Sequence, residues 1–173
     1  ASEIPERIIR VGVNSSVSPL DESQVTKGRN AINRVLFGVG QHSPFLLKPL
    51  LSPIALIARK NPQKLFDYGL RYYFPVLDQM VLFLPGVRDM FLEFFPLAFD
   101  RGTRGFALDM KIFAESWGFQ LKNISQQVYL WHGEKDENVP ANTIPNCEAR
   151  FYPGEGHLLI FNHWQEILST LVS

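Results

Sequence analysis

The chain has 173 residues, 46% of them hydrophobic and 20% charged, which suits one core-forming domain and excludes a disordered tail. Its 17 basic and 17 acidic residues cancel, which argues against a nucleic-acid binder and against a polybasic membrane anchor. The single cysteine, Cys147, excludes an intrachain disulfide framework and a multi-cysteine metal site, and suits a reducing compartment.

The opening residues carry neither a basic region nor an apolar leader. The most apolar stretch, 45–58, is broken by Lys48, Pro49 and Pro53. No membrane span and a cytoplasmic location are therefore expected. Pro5, Glu6 and Arg7 read as a turn feeding a short apolar strand near 8–13. Asn14, Ser15 and Ser16 end that strand.

From 22 to 120 period-2 alternation nearly disappears and apolar residues recur at helical spacing, as at Ile32, Val35, Leu36 and Val39. Asn61 before Pro62 reads as a helix cap with proline at the first helical position. Further short helices are expected over 89–99 and 100–115, making five or six in this segment. Eleven of the 14 phenylalanines lie between Phe45 and Phe119. They pack helix against helix, or a part of them lines an apolar cavity.

After about 124 the strand pattern returns. Val128, Tyr129, Leu130 and Trp131 form a continuous apolar strand near 127–131, followed by a polar loop from His132 to Asn138. Val139-Pro140 opens a short helix, 147–152 is the next strand, and Pro153-Gly154-Glu155-Gly156-His157 is a loop. A closing amphipathic helix over 161–172 carries Phe161, Trp164, Ile167, Leu168 and Leu171 on one face. Strand and helix alternating in this way imply parallel pairing.

In a parallel sheet, working groups sit just beyond the carboxyl ends of the strands. Two loops qualify here, one with Glu134, Asp136 and Glu137, the other with His157. A carboxylate accepting an imidazole N–H fixes the tautomer and supports the cation formed when the histidine takes a proton. By pattern alone, His157 is equally a surface histidine and Asp136 a solvated turn residue. A metal set from His132, Glu134 and Asp136 is not expected, because the turn breaks the alternation that would put them on one face.

The stretch from Val128 through His132-Gly133-Glu134-Lys135-Asp136 to Val139-Pro140 resembles the acid-bearing strand and turn of the α/β-hydrolase fold. The stretch from Phe151 to His157 resembles that family's histidine loop, 21 residues after Asp136. Arg104-Gly105 through Trp117-Gly118-Phe119 is similar to the segment that ends the cap in bacterial-type members. The resemblance implies an α/β fold: a partial hydrolase core from 1–21 and 121–173, about three parallel strands, and an inserted helical cap over 22–120. It implies Asp136 as the acid and His157 as the general base, with Glu134 and then Asp21 as the next candidates for the acid.

The family's Gly-x-Ser-x-Gly elbow occurs nowhere in the sequence. Ser15 and Ser16 lack its flanking glycines, and Ser43 and Ser52 adjoin prolines. The chain therefore reads as the C-terminal part of such a hydrolase, cut downstream of the nucleophile. The implied reaction is hydrolysis of an ester, amide or similar bond in a small apolar molecule. No cofactor or metal is expected, and the chain alone is expected to be inactive. The missing N-terminal segment, or a second copy, is expected along the exposed edge of the first strand. The alternative function is a non-catalytic module that binds a hydrophobic ligand or partner.

Overall fold

A computed structural model of the chain describes residues 1, 3–16, 31–134 and 144–173. The contacts divide the chain into two compact units, one formed by Ala1–Gly28 with Trp117–Ser173 and the other by Arg29–Ser116.

The first unit holds strands β1 (Arg10–Asn14), β2 (Gln127–Gly133) and β3 (Cys147–Tyr152) and the terminal helix α7 (Ile160–Val172). The strands pair in parallel in the order β1-β2-β3, which places β2 at the centre. Val11 lies opposite Val128, and Val128 opposite Cys147. The fold class is thus the expected α/β arrangement with three parallel strands. β2 is buried on both faces, which explains its continuous apolar sequence.

Alternation sends the strand residues to two cores. On one face Val128 packs with Leu121 and Ile144, joined by Val11, Val13 and Cys147. On the other, Trp131 packs with Leu159 and Ile167, joined by Tyr129, Tyr152 and Leu171. Helix α7 therefore covers the second face. Gly12 permits its close approach, because a Cβ there would lie 2.7 Å from a methyl carbon of Leu171.

Two boundaries differ from the sequence reading. β1 starts at Arg10 instead of residue 8, because a 3-10 turn over Pro5–Arg7 precedes it and the Ile8 N–H is spent on the Pro5 carbonyl. Ile9 is 86% exposed as a result. On α7, Ile167 and Leu171 face the sheet, but Trp164 and Leu168 are each 52% exposed. The apolar arc of this helix is wider than the strip a three-stranded sheet can cover.

The second unit is all-helical among its described residues. It comprises α1 (Ala31–His42), α2 (Leu47–Lys60), α3 (Pro62–Tyr72), α4 (Val76–Leu82), α5 (Val87–Ala98) and α6 (Arg104–Ala114). Leu47, Leu51, Ala55 and Ala58 recur at helical spacing and make the buried stripe of α2. Leu36 and Ala107 pack on its first half and Phe99 on its second. The phenylalanines form a run of ring contacts, Phe74 to Phe91 at 6.0 Å and Phe91 to Phe95 at 5.8 Å, with Phe99 stacked on Phe106. Asn61 caps α3, its side-chain oxygen accepting from the Lys64 N–H at 2.9 Å.

Candidate functional site

Parallel pairing puts the ends of β2 and β3 side by side, so the two loops singled out in the sequence leave the sheet at the same end. Gly133 closes β2 opposite Tyr152, and the Glu134 N–H continues the ladder by donating to the Tyr152 carbonyl at 3.0 Å. The chain from β3 then turns through Gly154, whose φ of 76° suits glycine, and crosses directly over Gly133. A Cβ on Gly133 would lie 2.3 Å from the Glu155 carbonyl oxygen and 2.5 Å from that of Gly156. Only a glycine at 133 admits this contact.

His157 follows at once, in the turn that leads into α7. Its side chain is exposed, whereas Leu159, two residues on, is wholly buried in the core beneath α7. Asp136, the first candidate for the acid, and Asp21, the third, lie outside the described residues, as does the helix expected at Val139-Pro140. Glu134, the second candidate, is exposed at the end of β2. His132 is fully buried, with its ring edge-on to Phe151 at 6.5 Å. That burial suits a packed neighbour of the site. Among the described residues no group of three or more His, Cys, Asp or Glu side chains is placed to hold a metal ion.

The structure also brings together groups that the sequence reading left apart. Along β3, Glu148, Arg150 and Tyr152 alternate onto the α7 face. The Arg150 guanidinium donates to Glu148 at 2.7 Å and to Glu166 at 2.6 Å, and the Tyr152 hydroxyl donates to the other Glu166 oxygen at 2.7 Å. The Tyr152 and Arg150 donors hold the Glu166 carboxyl below the usual carboxylate range. The buried Trp131 indole adds a smaller push in the same direction without reaching hydrogen-bond geometry. Burial first, and then the bond to Glu166, push the Tyr152 phenol up to about 12. The Arg150 guanidinium is raised mainly by its bonds to Glu148 and Glu166.

His163 belongs to the same cluster. Its Nε2 is 2.6 Å from Glu155 Oε1, its Nδ1 is 3.6 Å from Glu166 Oε2, and its ring centroid lies 3.9 Å from that of Tyr152. The signal for this cluster was the period-2 spacing of Glu148, Arg150 and Tyr152 together with the i,i+3 spacing of His163 and Glu166. Neither element reveals the other's register in sequence.

Ser15 occupies an unusual backbone position. It follows β1 with φ 45°, the one positive φ at a non-glycine among the described residues. Its N–H bonds the Trp131 carbonyl at 3.1 Å. Ser15 is 7% exposed, and its hydroxyl meets no hydrogen-bond partner among the described residues.

Taken together, the first unit is a three-stranded parallel α/β sheet, with the last residue of β2 in contact with the loop that follows β3 at its carboxyl end. No protein-family model matches the chain. No curated protein matches it either. Among solved structures it is similar to a proline iminopeptidase of Mycobacterium smegmatis, at 13% identity and a TM-score of 0.42. The match covers 98% of this chain and 57% of that one, so the chain spans little more than half the length of that protein. No helix of the described residues is long and apolar enough to cross a membrane.

Proposed function

We propose that this chain carries the acid and base of a hydrolytic site of the α/β-hydrolase kind, with His157 as general base and Asp136 as its carboxylate. The observation behind this reading is the backbone contact of Gly133, the residue that ends β2, with the Glu155-Gly156 segment that leads to His157, at the carboxyl end of a parallel sheet. His157 accepts a proton from a hydroxyl nucleophile through one ring nitrogen and donates its other N–H to Asp136. The resulting imidazolium later returns the proton to the leaving alcohol or amine. The nucleophile comes from polypeptide outside these 173 residues, since the sequence holds no Gly-x-Ser-x-Gly elbow. The substrate is a small apolar ester or amide, with the phenylalanine-rich helical segment as a cap.

The direct test is the pair itself. Asp136 and the His157 ring are expected within about 2.6–3.2 Å in a liganded experimental structure. Side chains more than about 6 Å apart there, well beyond hydrogen-bond range, would contradict the assignment.

The complementing segment adds along the free edge of β1, which pairs only with β2 among the described residues. Alone, the chain self-associates through that edge and through the apolar side chains of Ile9 and Val172 beside it. Sedimentation above the 19.8 kDa monomer is expected, with Ile9→Lys shifting the chain toward monomer. A wild-type chain that stays monomeric at high concentration would count against this.

A second reading, hydrophobic ligand or partner binding without catalysis, is favoured by the apolar side chains open on the helical unit, among them Val76 at 74% and Leu97 at 73% exposure. Saturable binding of a fatty-acyl probe that His157→Ala leaves unchanged, with no ester turnover in any longer form, would support it over the first.

A further inference from the structure

The loop that carries His157 is held from two sides. Beneath it, the carbonyls of Glu155 and Gly156 rest on Gly133. Across it, the Glu155 side chain is gripped by the first turn of α7. His163 Nε2 lies 2.6 Å from Oε1, and the Asn162 amide donates to Oε2 at 3.3 Å. The imidazole is held in turn by the Tyr152 ring at 3.9 Å and by Glu166 at 3.6 Å, and Glu166 is itself fixed by Tyr152 and Arg150.

We propose that His163 and Glu155 are positioning residues for His157, forming a clasp that sets the placement of its loop over the sheet end. Residue 155 cannot move toward the sheet, because its carbonyl already meets Gly133. It cannot move away without parting from His163 and Asn162. Gly156 has no side chain with which to anchor itself. His157 lies between two fixed points, the clasp at Glu155 and the buried Leu159. The charged and titratable groups facing the His163 ring are Glu155 from the loop, Glu166 from α7 and Tyr152 from β3, with Arg150 behind Glu166.

The inference rests on the reading of His157 as a base, but its test does not require activity. The chain has four histidines, His42, His132, His157 and His163, so ring resonances can be assigned by single replacements. In the 173-residue chain, His163→Ala and Glu155→Ala are expected to shift and broaden the His157 ring signals. In His163→Ala the Glu155 amide, which bonds the Tyr152 carbonyl at 3.3 Å, is expected to exchange on the order of tenfold faster. Glu155→Gln keeps an acceptor oxygen for His163 and is expected to restore the wild-type His157 signals. If His163→Ala disturbs the fold, Glu155→Ala in the loop gives the same readout. Unchanged His157 signals in a folded Glu155→Ala protein, or a Gln variant no closer to wild type than Ala, would overturn the clasp. Failure of the hydrolase reading shows elsewhere, in the separation of Asp136 from His157.

Discussion

The carbonyl oxygen of Glu155 lies so close over Gly133 that a Cβ on residue 133 would stand 2.3 Å from it. Backbone meets backbone here, so no side-chain rotation can relieve an added methyl. Gly133→Ala is expected to destabilise the first unit by about 2–3 kcal/mol, at the upper end of overpacking costs. Urea unfolding measures the loss. It should be accompanied by displacement of the 153–157 loop, read from the His157 ring resonances.

The link between Tyr152 and Glu166 makes stability depend on pH at both extremes. Glu166 has a lowered native pKa, so its contribution is present above the ordinary carboxylate range and is lost as pH falls through that lowered value. Tyr152 is raised to about 12, so its contribution is complete below the ordinary phenol value of about 10 and fades as pH rises toward 12. Tyr152→Phe is expected to flatten the alkaline limb and to cost about 1 kcal/mol at neutral pH, the scale of one partly solvated hydrogen bond. Urea midpoints taken across the pH range for both proteins check this. An alkaline limb unchanged in the variant would show that Tyr152 does not carry it.

In the helical unit, Asn61 offers a clean local test. Its side chain accepts from the Lys64 N–H in the first turn of α3 at 2.9 Å, a donor that also meets the Asn61 carbonyl at 3.1 Å. Asn61→Ala should lower stability by about 1 kcal/mol, whereas Asn61→Ser should recover most of it. Thermal unfolding of the three proteins compares them directly.

Ser15 sits at a φ of 45°, in a region that suits glycine, and its buried hydroxyl has no partner among the described residues. Ser15→Gly removes both costs, and a gain of up to about 1 kcal/mol is expected after the added freedom of the unfolded chain is counted. Ser15→Ala keeps the strained backbone and should gain less. Equal effects of the two variants on the urea midpoint would show that backbone strain is unimportant at this site.

Elements whose stability is local were legible in the sequence. β2 reads as a strand because Val128 to Trp131 are apolar without interruption, and its central place in the sheet, covered on both faces, accounts for that run. α3 announces itself through Asn61 and Pro62, since the cap and the fixed proline φ act within one turn. The start of β1 was misjudged because Ile8 and Ile9 are as apolar as Val11 and Val13. The 3-10 turn at Pro5–Arg7 that captures the Ile8 N–H leaves no apolar signature. Trp164 and Leu168 share the apolar face of α7 yet stay half-exposed, since the width of the sheet beneath a helix is not written in the helix.

At the candidate site the same division holds. His157 and the glycines around it stood out by type and spacing. The contact of Gly133 with residue 155 depends on β2 and β3 being neighbours in register, which neither segment encodes alone. The clasp of Glu155 with His163 is equally non-local. His163 carries no signal of its own in the sequence, because its partner lies on a different element.

Ester hydrolysis by the longest natural polypeptide that contains this sequence tests the central proposal most directly, with a nitrophenyl ester as substrate and the 173-residue chain assayed beside it. The longer protein is expected to turn the ester over, His157→Ala to reduce the rate by at least about a thousandfold and Asp136→Asn by a comparable factor, the scale on which base and acid residues act in such triads. The 173-residue chain alone is expected to be inactive. Turnover by the longer protein that survives His157→Ala, or turnover by the 173-residue chain on its own, would contradict the proposed division of catalytic groups.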